Sequence, residues 1–278
     1  MQSWAKQLLL GGDLSDKLQA PYEMDFEQKS ELLTLPQAPG RIDKYKFVTK
    51  SRDKFPKPQH LHQDSAKGKA LHAFANHELL AIEMMAATLL MFPHENDEHK
   101  KIKKGIIQAI QDEQKHLSLY IARMNELGFE FGDFHLNDFF WRQMGSIQNI
   151  HQYLAVMSLT FEAANLDFSY FYAQLFKEIG DEKTAAIMQT VYEDEISHVA
   201  LGSHFLGRWK GDKKLWDYYQ EILPWPITPA RAKGLVFHAD SRLQAGLDAD
   251  FVDNLKNYRG DFQVTKRKQW EVDASLSS

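Results

Sequence analysis

Asp112-Glu113-Gln114-Lys115-His116 and Asp194-Glu195-Ile196-Ser197-His198 repeat one pattern, D-E-x-x-H, in two helical stretches of the chain. A residue three positions on in an α-helix is rotated by roughly 300°, so Glu113 and His116 project from one face about a turn apart, as do Glu195 and His198. Each pair follows an isolated glutamate in an apolar stretch. Glu78 lies thirty-five residues before Glu113, and Glu162 thirty-three before Glu195. Each interval matches one helix, a short turn and half of the next, which lets all six side chains meet at one level of a four-helix bundle. Four carboxylates and two imidazoles would then converge in an apolar core. Uncompensated, that charge costs many kcal/mol; two divalent cations would neutralise it.

The second half of this core reads as a copy of the first. Aligning Glu78 with Glu162 sets Glu83 opposite Asp167, and Asp112, Glu113 and His116 fall on Asp194, Glu195 and His198 with a nearly constant offset. One Glu-x-x-His pair alone is equally well a solvated helical face. A duplicated sextet is the pattern of di-iron or di-manganese ligation in ferritin-like bundles. The fold expected is therefore all-α: a ferritin-like four-helix bundle built from two Glu/Glu-x-x-His halves, with amino- and carboxy-terminal extensions packed on it.

A closer resemblance rests on longer stretches. Leu71-His72-Ala73-Phe74-Ala75-Asn76-His77-Glu78-Leu79-Leu80-Ala81-Ile82-Glu83, then Phe92-Pro93, the segment Asp112 to His116, and Gly128-Phe129-Glu130-Phe131-Gly132-Asp133 resemble a bacterial ferritin-like family catalogued as a domain of unknown function. Ala38-Pro39-Gly40-Arg41 resembles its amino-terminal segment, and Ala239-Asp240-Ser241-Arg242-Leu243-Gln244-Ala245-Gly246-Leu247 its carboxy-terminal one. The resemblance to ferritin-like di-metal sites implies that Glu78 with His116 serves one metal and Glu162 with His198 the other. Glu113 and Glu195 would bridge the pair and be the carboxylates on which catalysis depends. By the same resemblance Asp112 and Asp194 would each accept a hydrogen bond from the histidine of the paired helix, fixing its tautomer and raising its basicity; an ordinary exposed aspartate is the competing reading.

The surrounding polar residues divide less sharply. Glu83 and Asp167, five positions beyond the first ligands, are turned by roughly 140°, which suits buried salt bridges better than coordination. Tyr120, Tyr192 and Asn165 lie three or four residues from a ligand and could hydrogen-bond one or simply pack. His77 adjoins Glu78 but points about 100° away. His72, His151 and His204 read as ordinary core or surface histidines rather than donors to the ligands.

Composition bounds the function. A chain of 278 residues, 44% hydrophobic, can bury a full core. No cysteine is present, which excludes disulfides, thiolate metal sites and cysteine nucleophiles. The formal charge of −5 gives no general drive toward nucleic acid or anionic membrane. Met1 to Leu10 is too weakly apolar for a signal peptide, and no stretch approaches the roughly 20 residues needed to span a bilayer, so a cytoplasmic protein without membrane insertion is expected.

Three zones follow. Residues 1 to 65 carry short helices near Trp4 to Leu10 and Phe26 to Leu33, then a proline-punctuated stretch that wraps rather than forming a core. Its basic run (Arg41, Lys44, Lys46, Lys50, Arg52, Lys54, Lys57) reads as a solvated arm over an acidic surface, or as a contact for RNA or an acidic partner. Residues 66 to 207 hold long helices near 67 to 91, 97 to 127, 146 to 179 and 181 to 207. Residues 208 to 278 form a helical extension, with helices near 229 to 245 and 248 to 258 and a frayed end from Asp273 to Ser278.

Carboxylates mixed with imidazole suit iron or manganese better than calcium or a thiolate-seeking metal. Two Fe ions, or a Mn/Fe or Mn/Mn pair, are the expected cofactor, with O2 as cosubstrate. The first functional reading is an O2-dependent oxidoreductase that hydroxylates, desaturates or otherwise oxidises a small organic molecule. Its electrons would come from a separate donor, because no G-x-G-x-x-G loop or flavin pattern is present. A ferroxidase or metal-handling protein without organic substrate is the alternative; tRNA-base hydroxylation, supported only by the basic arm, is a third. An organic substrate beside activated oxygen needs a dry recess, expected at Ala81, Ile82, Met85, Leu159 and Leu166.

Overall fold

The computed structural model describes residues 1–26, 32–48, 54–93 and 95–259. Among these the chain is all-helical, and its one β-bridge joins Phe47 to Leu136. Two short helices open it, α1 (Gln2–Leu10) and α2 (Leu14–Lys17). Two long ones follow, α3 (Asp64–Met91) and α4 (Asp97–Glu126). Then come α5 (Ile150–Val156), a π-helical stretch over Met157–Glu162, α6 (Ala163–Glu178) and α7 (Glu182–Trp209). Three short helices, α8 (Leu215–Ile222), α9 (Ala239–Gln244) and α10 (Ala249–Asn257), complete the described chain. No helix of the described residues is long and apolar enough to cross a membrane.

The helix ends follow local chemistry. Pro93 stands just beyond α3, and the Asn96 side chain caps α4 by accepting from His99 N at 2.9 Å. Gly180, at φ +79°, ends the helix before α7, where Asp181 N reaches back to Phe176 O at 2.8 Å.

The chain forms two compact units. The first comprises residues 1–150 and 175–190, the second residues 151–174 and 191 onward. In the first, α3 and α4 pack along their lengths and α1 lies against α3. Trp4, Leu8 and Leu9 of α1 are fully buried there. In the second, the π-helical stretch meets a 3₁₀ turn over Pro229–Ala232, and α10 packs on α8 and α9.

Three expectations change. The third long helix is interrupted: Thr160 Oγ1 donates to the Ala155 carbonyl five residues back at 2.8 Å, inside the wider π-turn. The helix expected over 229–245 is a 3₁₀ turn, an extended run and then α9, because the backbone N–H groups of Gly234 and His238 donate to Asp167 rather than to a helical carbonyl. Helix α8 was not anticipated. The expected helix from Phe26 to Leu33, the basic residues Lys50 and Arg52, and the end from Asp273 fall wholly or largely outside the described residues.

Candidate metal centre

In the first unit α3 supplies Glu78, and α4 supplies Glu113 and His116. All three are buried, Glu113 and His116 completely. Each offers a donor atom, and those atoms lie within 4.8 Å of one another. The one-turn spacing of Glu-x-x-His brings His116 Nδ1 to 3.2 Å from Glu113 Oε2. That separation serves a direct hydrogen bond from a protonated nitrogen. It equally suits two ligands of one ion, since donors near 2.1 Å from a metal and at right angles are about 3 Å apart. Oxygen and imidazole donors at this spacing fit a divalent transition metal.

The second unit repeats the set on a different scaffold. Glu162 closes the π-helical stretch, while Glu195 and His198 lie one turn apart on α7, all buried and with donor atoms again within 4.8 Å of one another. His198 Nδ1 stands 3.1 Å from Glu195 Oε2. Asn165, three residues beyond Glu162 on α6, donates from Nδ2 to Glu195 Oε1 at 2.7 Å. The phenol of Tyr219, whose burial pushes its pKa up, lies 2.7 Å from Thr160 Oγ1 in the π-helical stretch.

Glu83 and Asp167 are salt-bridged, each to an arginine brought in by a flanking segment. Arg41 grips Glu83 with Nε and Nη2 at 3.0 and 2.6 Å, and Lys17 Nζ adds a contact at 3.0 Å. Arg242 grips Asp167 with Nη1 and Nη2 at 2.6 and 2.9 Å. Gly234 N and His238 N donate to the same carboxylate at 2.9 and 2.7 Å. Arg242 also donates to the Ala163 carbonyl at 2.8 Å, directly beside Glu162. Burial outweighs the pull of Glu83 on Lys17 and lowers the lysine's pKa.

The other sequence candidates sort by contact. Asp112 and Asp194 are half-buried beside their glutamates. Tyr120 OH points at Met188 Sδ, 3.3 Å away, and Tyr192 OH at His238 Nδ1, also 3.3 Å. Burial raises the Tyr192 pKa and lowers that of His238. His77 stacks on Phe140, His72 accepts from Gly132 N at 3.0 Å, His151 lies 2.6 Å from Tyr218 OH, and His204 meets Phe205 edge to face. Ala81, Ile82 and Met85 are buried in the first unit, and Leu159 and Leu166 in the second. An open cleft of about 470 Å³ in the first unit is lined by Lys44, Tyr45, Phe129, Glu130 and Phe131, among others, and by none of the six predicted ligands.

The basic arm needs correction at one residue. Arg41 is buried and spent on Glu83, so it belongs to the core rather than to a solvated basic face. Lys44 and Lys46 pair with Glu130 and Asp43 on the surface. The ion-pair partners Lys17, Arg41 and Arg242 had no signature in the sequence beyond being basic. Asn165 had one, its position on the Glu162 face.

A family model described as a protein of unknown function (DUF455) matches residues 11–253, and the chain belongs to that family. An uncharacterized protein of Haemophilus influenzae is 24% identical over 191 residues, which cover 66% of this chain and 65% of that relative. The chain thus spans just under two thirds of the relative's length. No solved structure matches it.

Proposed function

We propose that this DUF455 protein is a ferritin-like di-metal oxidoreductase that uses O2 to oxidise a small organic substrate. Glu78, Glu113, His116, Glu162, Glu195 and His198 would hold two iron ions, or a Mn/Fe or Mn/Mn pair. The observation that carries the reading is the duplication: two buried triads of identical composition, each with donor atoms within 4.8 Å, at matching positions of two copies of one helical pattern. Four ionised carboxylates carry four negative charges, which two divalent ions balance. Without such compensation, burying them would be strongly unfavourable.

In this reading Glu113 and Glu195 use both carboxylate oxygens to bridge. His116 and His198 present neutral Nδ1 lone pairs, and Asp112 and Asp194 orient the imidazoles through hydrogen bonds. The iron pair, when bound, supplies electrons for the reduction of O2, which no side chain of this chain can supply. Ala81, Ile82, Met85, Leu159 and Leu166 keep water away and leave an apolar surface for substrate. Electrons reach the site from a separate reductase in the cytoplasm.

The test is anaerobic reconstitution with Fe(II), followed by exposure to O2 in the presence of cell metabolites. An oxidised metabolite whose formation needs Glu113 and Glu195 supports the oxidoreductase. Should reduced iron account for all the O2 consumed, with ferric mineral accumulating and no metabolite changed, the protein handles metal instead. An altered nucleoside in added tRNA would select the tRNA-hydroxylase reading.

A further inference from the structure

The two halves differ at one position that touches a predicted ligand. Asn165 follows Glu162 by three residues, so both project from one face of the helix. Its side chain is 7% exposed, and Nδ2 lies 2.7 Å from Glu195 Oε1. The amide must present its NH2 here, because an ionised carboxylate only accepts hydrogen bonds. The other oxygen, Oε2, faces His198 Nδ1 at 3.1 Å. Both oxygens of Glu195 are therefore directed, one by a charge-assisted hydrogen bond and one toward the imidazole with which it would share an ion.

The first half has a different residue at the matching place. The register that sets Glu78 on Glu162 and Glu83 on Asp167 sets Ala81 on Asn165. A methyl group donates no hydrogen bond, so α3 holds no carboxylate of its own unit through that position.

We infer that Asn165 is a positioning residue that makes the two metal positions unequal. It fixes Glu195 in its ligating orientation before any ion arrives, so the position formed by Glu162, Glu195 and His198 fills first and holds its ion more tightly. The inference rests on the two-metal reading above. Preorganisation is the physical reason: a carboxylate already held in its bound rotamer loses less freedom on binding, and partners that orient ligands typically govern about 10- to 100-fold in metal affinity.

The experiment titrates the metal-free full-length chain with Co(II) without oxygen and follows the visible absorption of the bound ion. Wild type is expected to show two steps of different affinity, with His198→Ala deleting the tighter and His116→Ala the weaker. Asn165→Leu keeps the buried volume and removes the donor. It should weaken the tighter step by about 10- to 100-fold and leave the other within about threefold, bringing the two together. Thermal unfolding of the metal-free variant reports whether the fold is intact, and Asn165→Ala repeats the test with a smaller side chain. Two equal steps in wild type, an unchanged tighter step in both variants, or equal weakening of both steps would overturn the inference while leaving two metals in place. Uptake of one Co(II) or none by wild type would overturn the two-metal reading along with it.

Discussion

In the first unit the ligand face of α3 is an unbroken helix of 28 residues, and the carboxylate five residues past Glu78 meets two cations, Lys17 and Arg41. In the second unit the helix that carries Glu162 passes through a π-helical stretch, Asn165 holds Glu195, and Asp167 meets one arginine plus two backbone N–H groups. The donors are the same in both; the scaffolds are not. A metal-binding pattern fixes only residue types and their phase on a helix, so each copy is free to solve backbone packing its own way. π-bulges concentrate at functional sites because one extra residue re-aims a side chain while the helix continues. Here that stretch ends on Glu162 itself.

The largest expected effect separates shared from private ligands. Glu113→Ala and Glu195→Ala should each empty both metal positions, whereas His116→Ala and His198→Ala should each leave one ion per chain. Helical circular dichroism should persist in all four. Loss of a single ion in all four variants would mean that no carboxylate bridges and that the two halves act independently.

The arginines compare next. Arg242→Ala leaves Asp167 without its countercharge and deprives the Ala163 and Ala232 carbonyls of a donor, so it should destabilise by about 3–5 kcal/mol in urea unfolding. Arg41→Ala should cost clearly less, since Lys17 remains 3.0 Å from Glu83. Equal losses would show that the second cation contributes nothing to the first unit.

Each arginine arrives on a segment that presses a glycine close to its neighbours. A Cβ on Gly40 would overlap the Leu10 carbonyl, and one on Gly234 would stand 2.6 Å from Asp167 Cβ. Gly40→Ala and Gly234→Ala should each cost about 1–3 kcal/mol, the former more because backbone must move. A wild-type melting temperature in either would place the segment elsewhere.

The smallest difference is one of pH. Burial lowers Lys103 in the first unit and Lys233 in the second to about 8. Lys103 donates to the Leu89 carbonyl, Lys233 to those of Lys256 and Tyr258. Below pH 8 folded and unfolded chains both keep these protons. Between about 8 and the ordinary 10.5 the unfolded chain binds more, so stability rises with pH across that window. Lys103→Met should remove more of the rise than Lys233→Met, because Lys233 is partly exposed and its shift is weakened by solvent. A larger change in the Lys233 variant would reverse the assignment.

The long helices and the members of each triad were legible in the sequence because phase alone determines them: Glu-x-x-His is one turn wide wherever it occurs in a helix. The salt bridges of Glu83 and Asp167 were legible as a tendency, from their rotation away from the ligands, but their partners were not. Arg41 and Arg242 lie 42 and 75 residues from the carboxylates they bind, and only folding chooses among the basic residues of the chain. The π-helical stretch left no mark, since Met157 to Glu162 is as apolar and helix-compatible as its surroundings. The segment from Pro229 to His238 misled because its apolar residues suit a helix, while Asp167 claims two of its backbone N–H groups. Helix α8 did carry a signal: Leu215, Trp216 and Tyr219 make a buried face just before Pro224.

The most direct test of the account is the number of Fe(II) ions bound per chain at equilibrium without oxygen, in wild type and in the Glu113→Ala/Glu195→Ala double variant. Two ions in wild type and none in the double variant are predicted. No ion in wild type, one ion, or two ions retained by the double variant would contradict it.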